Sequence, residues 1–471
     1  MSSVIIRSGT VVLPEVGTFV GDVWIEDGVV RALGRDLRAQ DAEYIEAGGC
    51  LVMPGFIDPH VHLGNYNEFA QDCLTESRAA AHGGVTTVMT HVKVLRHRPE
   101  ETSYLDVLEE VSAAVAASSI VDVGAHLAIS TDAHLDELEA YHELGIRSFK
   151  FYMGYRSDPR ARRRGSVGVG DGFIYEGMRR IGRLPGALAL VHCENEEIAS
   201  YLASHRPAST PSEFLDWADT RPPLIEAEAV QRAAYLAAEA DCPFYVVHLS
   251  SAKALDAARR MRSLSSRPLW IEGNLHHLTM TRSDGAALEA SALAKVSPPL
   301  RESGDIEALW GAVRAGELHT VGTDHCCLEW RGKTLGTFEG EPGFPALDCL
   351  ASLLISQVIE RRLPLELAAR ITSYNAARIF GLYPRKGTLL PGADGDVVLI
   401  RTGEPSRVLA SENLSAAKFT PYDGRPTQAV VEATLVRGRV VYDRATDRVE
   451  KGGWGRLVGA RPPTGEALVS A

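Results

Sequence analysis

Several features that would point to particular functions are missing from this sequence of 471 residues. No apolar run reaches the roughly 18 residues of a membrane span, and the first residues, MSSVIIRSGTVVL, lack the basic segment and long apolar run of a secretory signal. The seven cysteines are scattered without a CxxC pair, which favours reduced thiols in a cytoplasm over a disulfide framework. The net charge of -12 argues against nucleic acid or an anionic membrane as a partner.

The remaining composition is that of a globular protein, with 45% hydrophobic and 23% charged residues. Its length suits one large domain and a smaller one. The first 50 residues alternate apolar and polar positions between turn signals such as Asp27-Gly28, which predicts short β-strands.

Eight β-rich runs then alternate with alanine-rich helical stretches. They are GFIDPHVHL, GVTTVMTHV, VDVGAHLAI, IRSFKFYM, ALALVHCEN, CPFYVVHLS, PLWIEGNLHHL and LHTVGTDHC. This alternation predicts an α/β fold with a (β/α)8 TIM-like barrel, whose active site lies at the C-terminal ends of the strands. Because β-type runs return afterwards, we expect both chain ends to form one small β-sandwich domain. The predicted limits are 1–53 and 383–471 for the two parts of that domain and 54–382 for the barrel.

Lys150 lies within the apolar run SFKFYMGY, which has the character of a buried strand. Desolvation disfavours a charged lysine and lowers its pKa. Such a lysine is paired with an anion, deprotonated for chemistry or chemically modified.

Polar side chains stand at the ends of other predicted strands. His60 and His62 alternate in DPHVHLG, so both imidazoles point to one face of the strand. His192, His248 and Asp324 each follow an apolar run. An isolated His-x-His pair is a weak signal, but four histidines, a lysine and an aspartate at one end of a barrel favour a metal site over packing.

A metal site would also explain Lys150. A neutral amine reacts with carbon dioxide to form a carbamate, whose two oxygens can bridge two metals. A lysine paired with a nearby acid and a Schiff-base lysine, as in barrel aldolases, are the alternatives. The Schiff base would leave the four histidines without a role.

The chain resembles the cyclic-amide branch of the amidohydrolase superfamily, the dihydropyrimidinases and hydantoinases, with allantoinases and dihydroorotases as cousins. The resemblance covers nearly the full length. It rests on GFIDPHVHL, TESRAAAHGGVTTV, FKFYMGY, VHCEN, YVVHLSSAKAL, KVSPPLR, LHTVGTDHC, NAARIFGLYPRKGTLLPGADGDVVLI and VVEATLVRGRVVY.

The resemblance implies a role for each matching residue. His60 and His62 correspond to ligands of a first metal, and His192 and His248 to ligands of a second. Lys150 corresponds to the carboxylated lysine that bridges both.

Three further residues match the family's catalytic and substrate-binding positions. Asp324 corresponds to the catalytic aspartate, which also touches the first metal. Tyr155 corresponds to the tyrosine that hydrogen-bonds the attacked carbonyl oxygen, and Ser297 to a residue that contacts the amide edge of the substrate.

The activity implied by the resemblance is hydrolysis of a cyclic amide such as a hydantoin or dihydropyrimidine. A hydroxide shared by two divalent ions attacks the ring carbonyl, and Asp324 carries its proton to the leaving nitrogen. Zinc suits imidazole and oxygen ligands, with manganese or cobalt as substitutes. The expected partner is a small-molecule substrate, and the expected assembly is a homo-oligomer, a tetramer or dimer.

The substrate is less well specified. Gly64 stands where dihydroorotases usually carry an arginine for the substrate carboxylate. Pro342-Gly343 lacks the asparagine of the Pro-Asn-Gly segment of hydantoinases, and GNLHHL replaces the usual TCPHYL. We expect the loop 64–72 to shape the pocket entrance and the loop 329–345 to overhang the barrel mouth. The basic loop 156–172 is either a solvated loop or a lid or substrate contact.

Four alternatives remain at this stage. An allantoinase-like or dihydroorotase-like hydrolase differs only in the ring it opens. A non-catalytic scaffold related to dihydropyrimidinases, a Schiff-base aldolase and a deaminase of the wider superfamily belong to other classes.

Other polar residues near the expected site have simpler interpretations. Asp58 either orients a ligand imidazole or forms a turn before Pro59. Strand alternation should turn the cysteines beside the expected ligands away from the metals. Metal ligation is not expected of the remaining histidines near the strand ends, namely His91, His126, His276, His277 and His325.

Overall fold

The computed structural model describes residues 3–94, 98–206, 212–328, 330–333 and 335–459. The strands are β1 (Ser3–Leu13), β2 (Gly17–Glu26), β3 (Val29–Gly34), β4 (Glu43–Glu46), β5 (Cys50–Pro54), β6 (Phe56–His62), β7 (Val85–Val92), β8 (Asp122–Ala128), β9 (Ser148–Tyr152), β10 (Leu188–His192), β11 (Phe244–Val246), β12 (Leu269–Asn274), β13 (Thr320–Gly322), β14 (His325–Cys326), β15 (Val397–Arg407), β16 (Pro426–Val436), β17 (Arg439–Asp443), β18 (Arg448–Val449) and β19 (Leu457–Val458). The helices are α1 (Phe69–His82), α2 (Tyr104–Ser118), α3 (Asp132–Asp136), α4 (Leu138–Glu143), α5 (Pro159–Arg163), α6 (Asp171–Ile181), α7 (Glu196–Ser204), α8 (Glu213–Asp219), α9 (Pro223–Glu239), α10 (Ala252–Arg262), α11 (Leu275–Thr279), α12 (Arg282–Ala286), α13 (Ser303–Arg314), α14 (Trp330–Lys333), α15 (Leu350–Glu360), α16 (Leu365–Ala369) and α17 (Asn375–Ile379).

Strands β6 to β13 form a parallel ladder in chain order. The ladder closes because β13 pairs with β12 while β14 pairs with β6. Strands β13 and β14 are two halves of one eighth strand, interrupted at Thr323 and Asp324. The predicted fold class, with its (β/α)8 barrel, is therefore confirmed.

The barrel strands are buried along most of their length, as expected of a parallel sheet covered by helices. All five residues of β9, SFKFY, are buried, and so are all five of β10, LALVH. Apolar residues of both strands join the main hydrophobic core. Polar residues that the chain places within these strands are therefore removed from water.

A second sheet combines strands from the two ends of the chain, as predicted. Its order is β18-β17-β16-β15-β5-β1-β2-β3, and β4 pairs with β1. Strand β19 instead pairs with β8 of the barrel. The domain limits given above stay a prediction, and residues 460–471 of the predicted tail lie outside the described residues.

Among the residues described, none of the helices combines the length and apolar character that crossing a membrane requires.

Candidate active site

The first cluster consists of His60 and His62 at the end of β6 and Asp324 in the break of the eighth strand. The Nε2 atom of His62 lies 2.9 Å from Asp324 Oδ1, and the Nε2 atom of His60 lies 3.3 Å from the same oxygen. The pairing of β14 with β6 brings these strand ends together. Two imidazoles and a carboxylate thus converge on one point, as predicted.

Glu272 on β12 fixes the orientation of His60. Its Oε1 atom lies 2.7 Å from His60 Nδ1 and also accepts a hydrogen bond from the backbone of His248 at 2.9 Å. Its Oε2 atom accepts from the Tyr245 hydroxyl. A carboxylate on one ring nitrogen turns the other nitrogen toward a ligand, an arrangement typical of metal-binding histidines.

A second pair of imidazoles lies beside the first cluster. The Nδ1 atom of His192 is 2.8 Å from the Nε2 atom of His248, and Glu194 lies 2.9 Å from His192 Nε2. His248 also joins His60 and Asp324 in a group whose candidate ligand atoms all lie within 4.8 Å of one another. The two halves of the predicted site therefore meet.

Lys150 on β9 completes this group. Its side chain is 0% exposed, and its Nζ atom has no hydrogen-bond partner among the described residues. Burial lowers the pKa of Lys150 to about 8. A buried amine without a partner is costly, so the anion-paired interpretation of this lysine is disfavoured.

Tyr155 and Ser297 line the same cavity as the histidines, Lys150 and Asp324. The ring of Tyr155 lies 4.8 Å from that of His192, centre to centre. Burial raises the pKa of Tyr155 well above its usual value, so its hydroxyl stays a donor. The structure thus brings all eight predicted site residues to one cavity.

Three of these residues have left-handed backbone conformations. The φ angles are 67° at Tyr155, 39° at His248 and 52° at Asp324. Such conformations are unfavourable for residues other than glycine and concentrate at functional sites.

The chemistry of these residues suits divalent metal ions. Burial lowers the pKa of His60 to about 3 and that of His248 well below its usual value, so both rings are neutral and able to ligate. Burial also raises the pKa of Glu272 to about 8, although the nearby charge of Lys150 opposes the rise. The Nδ1 atoms of His62 and His248 and the Nζ atom of Lys150 have no hydrogen-bond partner among the described residues.

One expectation about a neighbouring residue needs correction, and for Asp58 the structure disfavours one of the two alternatives. Cys326 does not point away, because it lines the cavity and its sulfur lies within 4.8 Å of ligand atoms of His62 and Asp324. Asp324 lies between two strand segments and has a positive φ. The alternation of side-chain direction along a strand is therefore broken at this residue. Asp58 does not orient an imidazole, since its carboxylate accepts from the backbone of His60 and from Thr323.

The other histidines differ in their contacts. His126 contacts Ser148 and the Pro59 carbonyl, His277 contacts the Pro298 carbonyl, and His325 lies 2.8 Å from Glu76. His91 and His276 have no hydrogen-bond partner among the described residues. That none of the five is a metal ligand stays a prediction.

Four charged residues at the site were missed in the sequence. Glu272 and Glu194 orient histidines, while Lys93 and Arg164 line the cavity. Glu272 could have been found, because an acidic residue within the apolar run PLWIEGN is as unusual as Lys150 in its strand. Lys93 follows the predicted strand GVTTVMTHV directly and could have been found as a polar residue at a strand end, whereas Arg164 is one of several arginines in the loop 156–172, and nothing in the sequence sets it apart from them.

The three loops singled out in the sequence meet around the cavity. Asn65 comes from 64–72, Arg164 and Ser166 from 156–172, and Pro342 and Gly343 from 329–345, of which residues 329 and 334 lie outside the described part. The predicted role of 64–72 at the entrance is consistent with this placement, and for 156–172 a substrate contact is favoured over a merely solvated loop.

Comparisons with known proteins agree with this geometry. Residues 51–441 match the model of the amidohydrolase family. The chain is 32% identical to a D-hydantoinase of Geobacillus stearothermophilus, over 96% of each chain, and 33% identical to a D-phenylhydantoinase of Escherichia coli O1:K1 / APEC, over 98% of each. The crystal structure of a dihydropyrimidinase from Brevibacillus agri NCHU1002 superposes with a TM-score of 0.88 at 31% identity, covering 98% of this chain and 99% of that one. The chain therefore belongs to the amidohydrolase family, and within it to the hydantoinase-like branch of cyclic amidohydrolases.

Proposed function

We propose that this enzyme opens a hydantoin, a dihydropyrimidine or a related cyclic imide or lactam by hydrolysis. The observation that carries the proposal is the meeting of four imidazoles, Lys150, Asp324 and the Tyr155 hydroxyl around one cavity. The names of the relatives support the ring type, since they are hydantoinases and a dihydropyrimidinase. A non-catalytic scaffold is disfavoured, because every expected ligand is present.

The cluster offers ligands for two divalent ions. His60, His62 and Asp324 would hold one, and His192 and His248 the other. Zinc suits these nitrogen and oxygen ligands, and manganese or cobalt could replace it. When bound, the ions supply Lewis-acid polarisation of the carbonyl and lower the pKa of water toward neutrality.

Lys150 would join the two halves after carboxylation. Its neutral Nζ attacks the carbon of carbon dioxide, a nitrogen–carbon bond forms, and one proton leaves to solvent. The lowered pKa favours this step, because more of the amine is neutral at pH 7. The product carries one negative charge shared by two oxygens where the neutral amine stood.

Asp324 is the residue best placed to move the proton. It accepts a proton from the water that adds to the ring carbonyl carbon, and it returns that proton to the ring nitrogen as the carbon–nitrogen bond breaks. The Tyr155 hydroxyl donates a hydrogen bond to the developing oxyanion. The backbone around Ser297 holds the amide edge of the ring, and the ring opens to a carboxylate.

The test is ring opening by metal-loaded protein prepared with bicarbonate. The substrates are hydantoin, a 5-substituted hydantoin, dihydrouracil, allantoin, dihydroorotate and simple imides. Turnover of a hydantoin or dihydrouracil with two metals bound per chain is the expected result. If allantoin or dihydroorotate is the only substrate turned over, the enzyme is instead allantoinase-like or dihydroorotase-like. Failure to bind metal would contradict the proposal.

Asp324→Asn tests the proton transfer separately. The variant should keep much of its metal, since the amide oxygen can still ligate, and lose turnover by roughly 10²- to 10⁴-fold, the usual contribution of a general acid–base group. Metal content by mass spectrometry and kcat on the best substrate decide the matter. An active Asp324→Asn enzyme would eliminate the proton-shuttle role.

The number of copies in the assembly and the cellular compartment stay predictions. Gel filtration with light scattering of the metal-loaded protein measures the first.

A further inference from the structure

Two cationic side chains that the hydrolysis does not use line the cavity. They are Lys93, just after β7, and Arg164, at the end of α5 in the loop 156–172. Neither belongs to a motif in the sequence. The site residues described above do not determine which substituent the substrate carries. The placement of these two cations provides evidence about that substituent.

Lys93 is half-buried and has neutral partners. Its Nζ atom donates to Asn65 Oδ1 at 2.7 Å and to Ser166 Oγ at 2.8 Å. Within the described part of the chain no carboxylate forms an ion pair with it. Burial lowers the pKa of Lys93 to about 7, and the positive charge of Arg164 contributes to the lowering.

Arg164 is buried and presents its guanidinium beside Lys93. Glu341 accepts from its NH1 atom, and among the described residues no other acceptor takes its remaining N–H groups. Gly165 permits the approach of this loop, because it has a φ of 70° and a Cβ on it would lie 2.9 Å from the Cβ of Lys93. Two like charges thus line one cavity, and among the described residues the ion pair with Glu341 is the one such pair that either of them forms.

Lys93 and Lys150 both lie near the ring of Tyr152. The Nζ atoms of Lys93 and Lys150 lie 5.8 and 5.0 Å from the centre of the same Tyr152 ring. Lys93, Arg164 and Lys150 line one cavity, so a short substituent on a ring bound beside Lys150 would lie in the same cavity as both cations.

The position at which dihydroorotases usually carry an arginine for the substrate carboxylate cannot bind a carboxylate in this chain. Gly64 occupies it with a φ of 75°, and a Cβ there would lie 3.1 Å from the Phe69 ring. An arginine at residue 64 would be strained, so a carboxylate would have to be bound by other residues.

We propose that the substrate is a cyclic amide that carries a carboxylate on a short substituent, bound by Lys93 and the guanidinium of Arg164. This inference rests on the proposed ring-opening function. Arginine forms forked, charge-assisted hydrogen bonds with carboxylates, and lysine adds a compact charge. An anion between the two cations also relieves their mutual repulsion. A neutral alkyl or aryl substituent would leave Lys93 half-buried and without an ion-pair partner.

The test compares two substrates of the same shape, hydantoin-5-acetate and hydantoin-5-acetamide, with metal-loaded enzyme. We expect kcat/KM to favour the carboxylate by roughly 10- to 100-fold, the range set by hydrogen bonds to charged groups. The preference should lie mainly in KM. In Lys93→Met and Arg164→Gln the ratio between the two substrates should fall toward one.

Arg163→Gln is the matched control, because Arg163 is the exposed neighbour of Arg164 on the same loop and lies outside the cavity lining. It should keep the wild-type ratio. Equal use of both substrates by the wild type would overturn the inference. An equal loss on both substrates in Lys93→Met would also overturn it, since Lys93 would then only tie Asn65 to Ser166.

Calorimetric binding of the same two compounds separates this inference from the proposed function. If neither ring opens but the acetate binds more tightly and loses that advantage in Lys93→Met, the ring-opening proposal fails and the anion site stands. Equal binding of the two compounds would overturn the anion site whatever the turnover.

Discussion

At the scale of single residues, burial decides the chemistry. Lys150, His60 and His248 are all nine-tenths or more buried, and burial lowers the pKa of each. Neutral amine and imidazole groups are the forms that react with carbon dioxide and bind metals. The same burial keeps the Tyr155 hydroxyl protonated as a donor.

Replacing Lys150 tests the link between the lysine and the metals. Lys150→Ala should lose bound metal and turnover together, because it removes the two oxygens that would join the halves of the cluster. The loss should exceed the roughly 10- to 100-fold that removal of an orienting partner costs. Metal content and kcat are measured on the same sample, and a variant with full metal and normal turnover would rule out the bridging role.

At the scale of elements, loops rather than strands shape the cavity mouth. Lys295 holds the loop that carries Pro342 and Gly343: its Nζ atom donates to the carbonyls of Phe338 at 3.1 Å and Gly340 at 2.5 Å. Its ammonium lies 4.1 Å from the centre of the Trp217 ring. The carbonyl of Lys295 in turn accepts from the backbone of Gly343 at 3.0 Å.

Lys295→Met should loosen this loop while leaving the barrel folded. Two charge-assisted hydrogen bonds are lost, so local opening becomes easier by about 2 kcal/mol. Limited proteolysis within 335–345 should therefore be faster by about tenfold or more, and KM should rise. Lys253→Met, at an exposed lysine on α10, is the control; an unchanged cleavage rate in Lys295→Met would show that the loop is held by other contacts.

At the scale of the whole molecule, a buried ion network ties the barrel to the second sheet. Asp122 at the start of β8 contacts Lys386 at 2.7 Å and Arg437, which lies between β16 and β17. Lys386 also contacts Asp396 at 2.6 Å. Although burial opposes ionisation, the charges of Lys386 and Arg437 hold the pKa of Asp122 below its usual value.

Asp122→Asn should lower the free energy of unfolding by about 3 kcal/mol, because it removes the carboxylate that two buried cations share. A depressed carboxyl pKa stabilises the fold above the unfolded value of about 3.9, and the effect is lost as the pH falls through the folded value. The difference from wild type should thus be full at pH 7 and shrink below about pH 4. Denaturant unfolding measures it.

Asp241→Asn is the control for this variant, since it removes one member of the exposed Arg267 pair and should leave the unfolding midpoint nearly unchanged. Equal midpoints for Asp122→Asn and wild type at pH 7 would show that the network contributes nothing net.

The sequence by itself determined the barrel, the second β unit from both chain ends and the eight residues expected at the site. Apolar periodicity marks the strands, and polar residues at the strand ends are conspicuous against it. Glu272 could have been recognised in the same way, as an acid within an apolar strand.

Only the tertiary structure decided which residues surround these eight site residues. Lys93, Arg164 and Glu341 are separated along the chain and meet because three loops converge over one end of the barrel. Charged residues in polar loops, such as Arg164 and Glu341, have no periodicity to set them apart, and the contacts between loops depend on long-range packing. Cys326 faces the cavity for a related reason, since the positive φ at Asp324 breaks the alternation from which its direction was predicted.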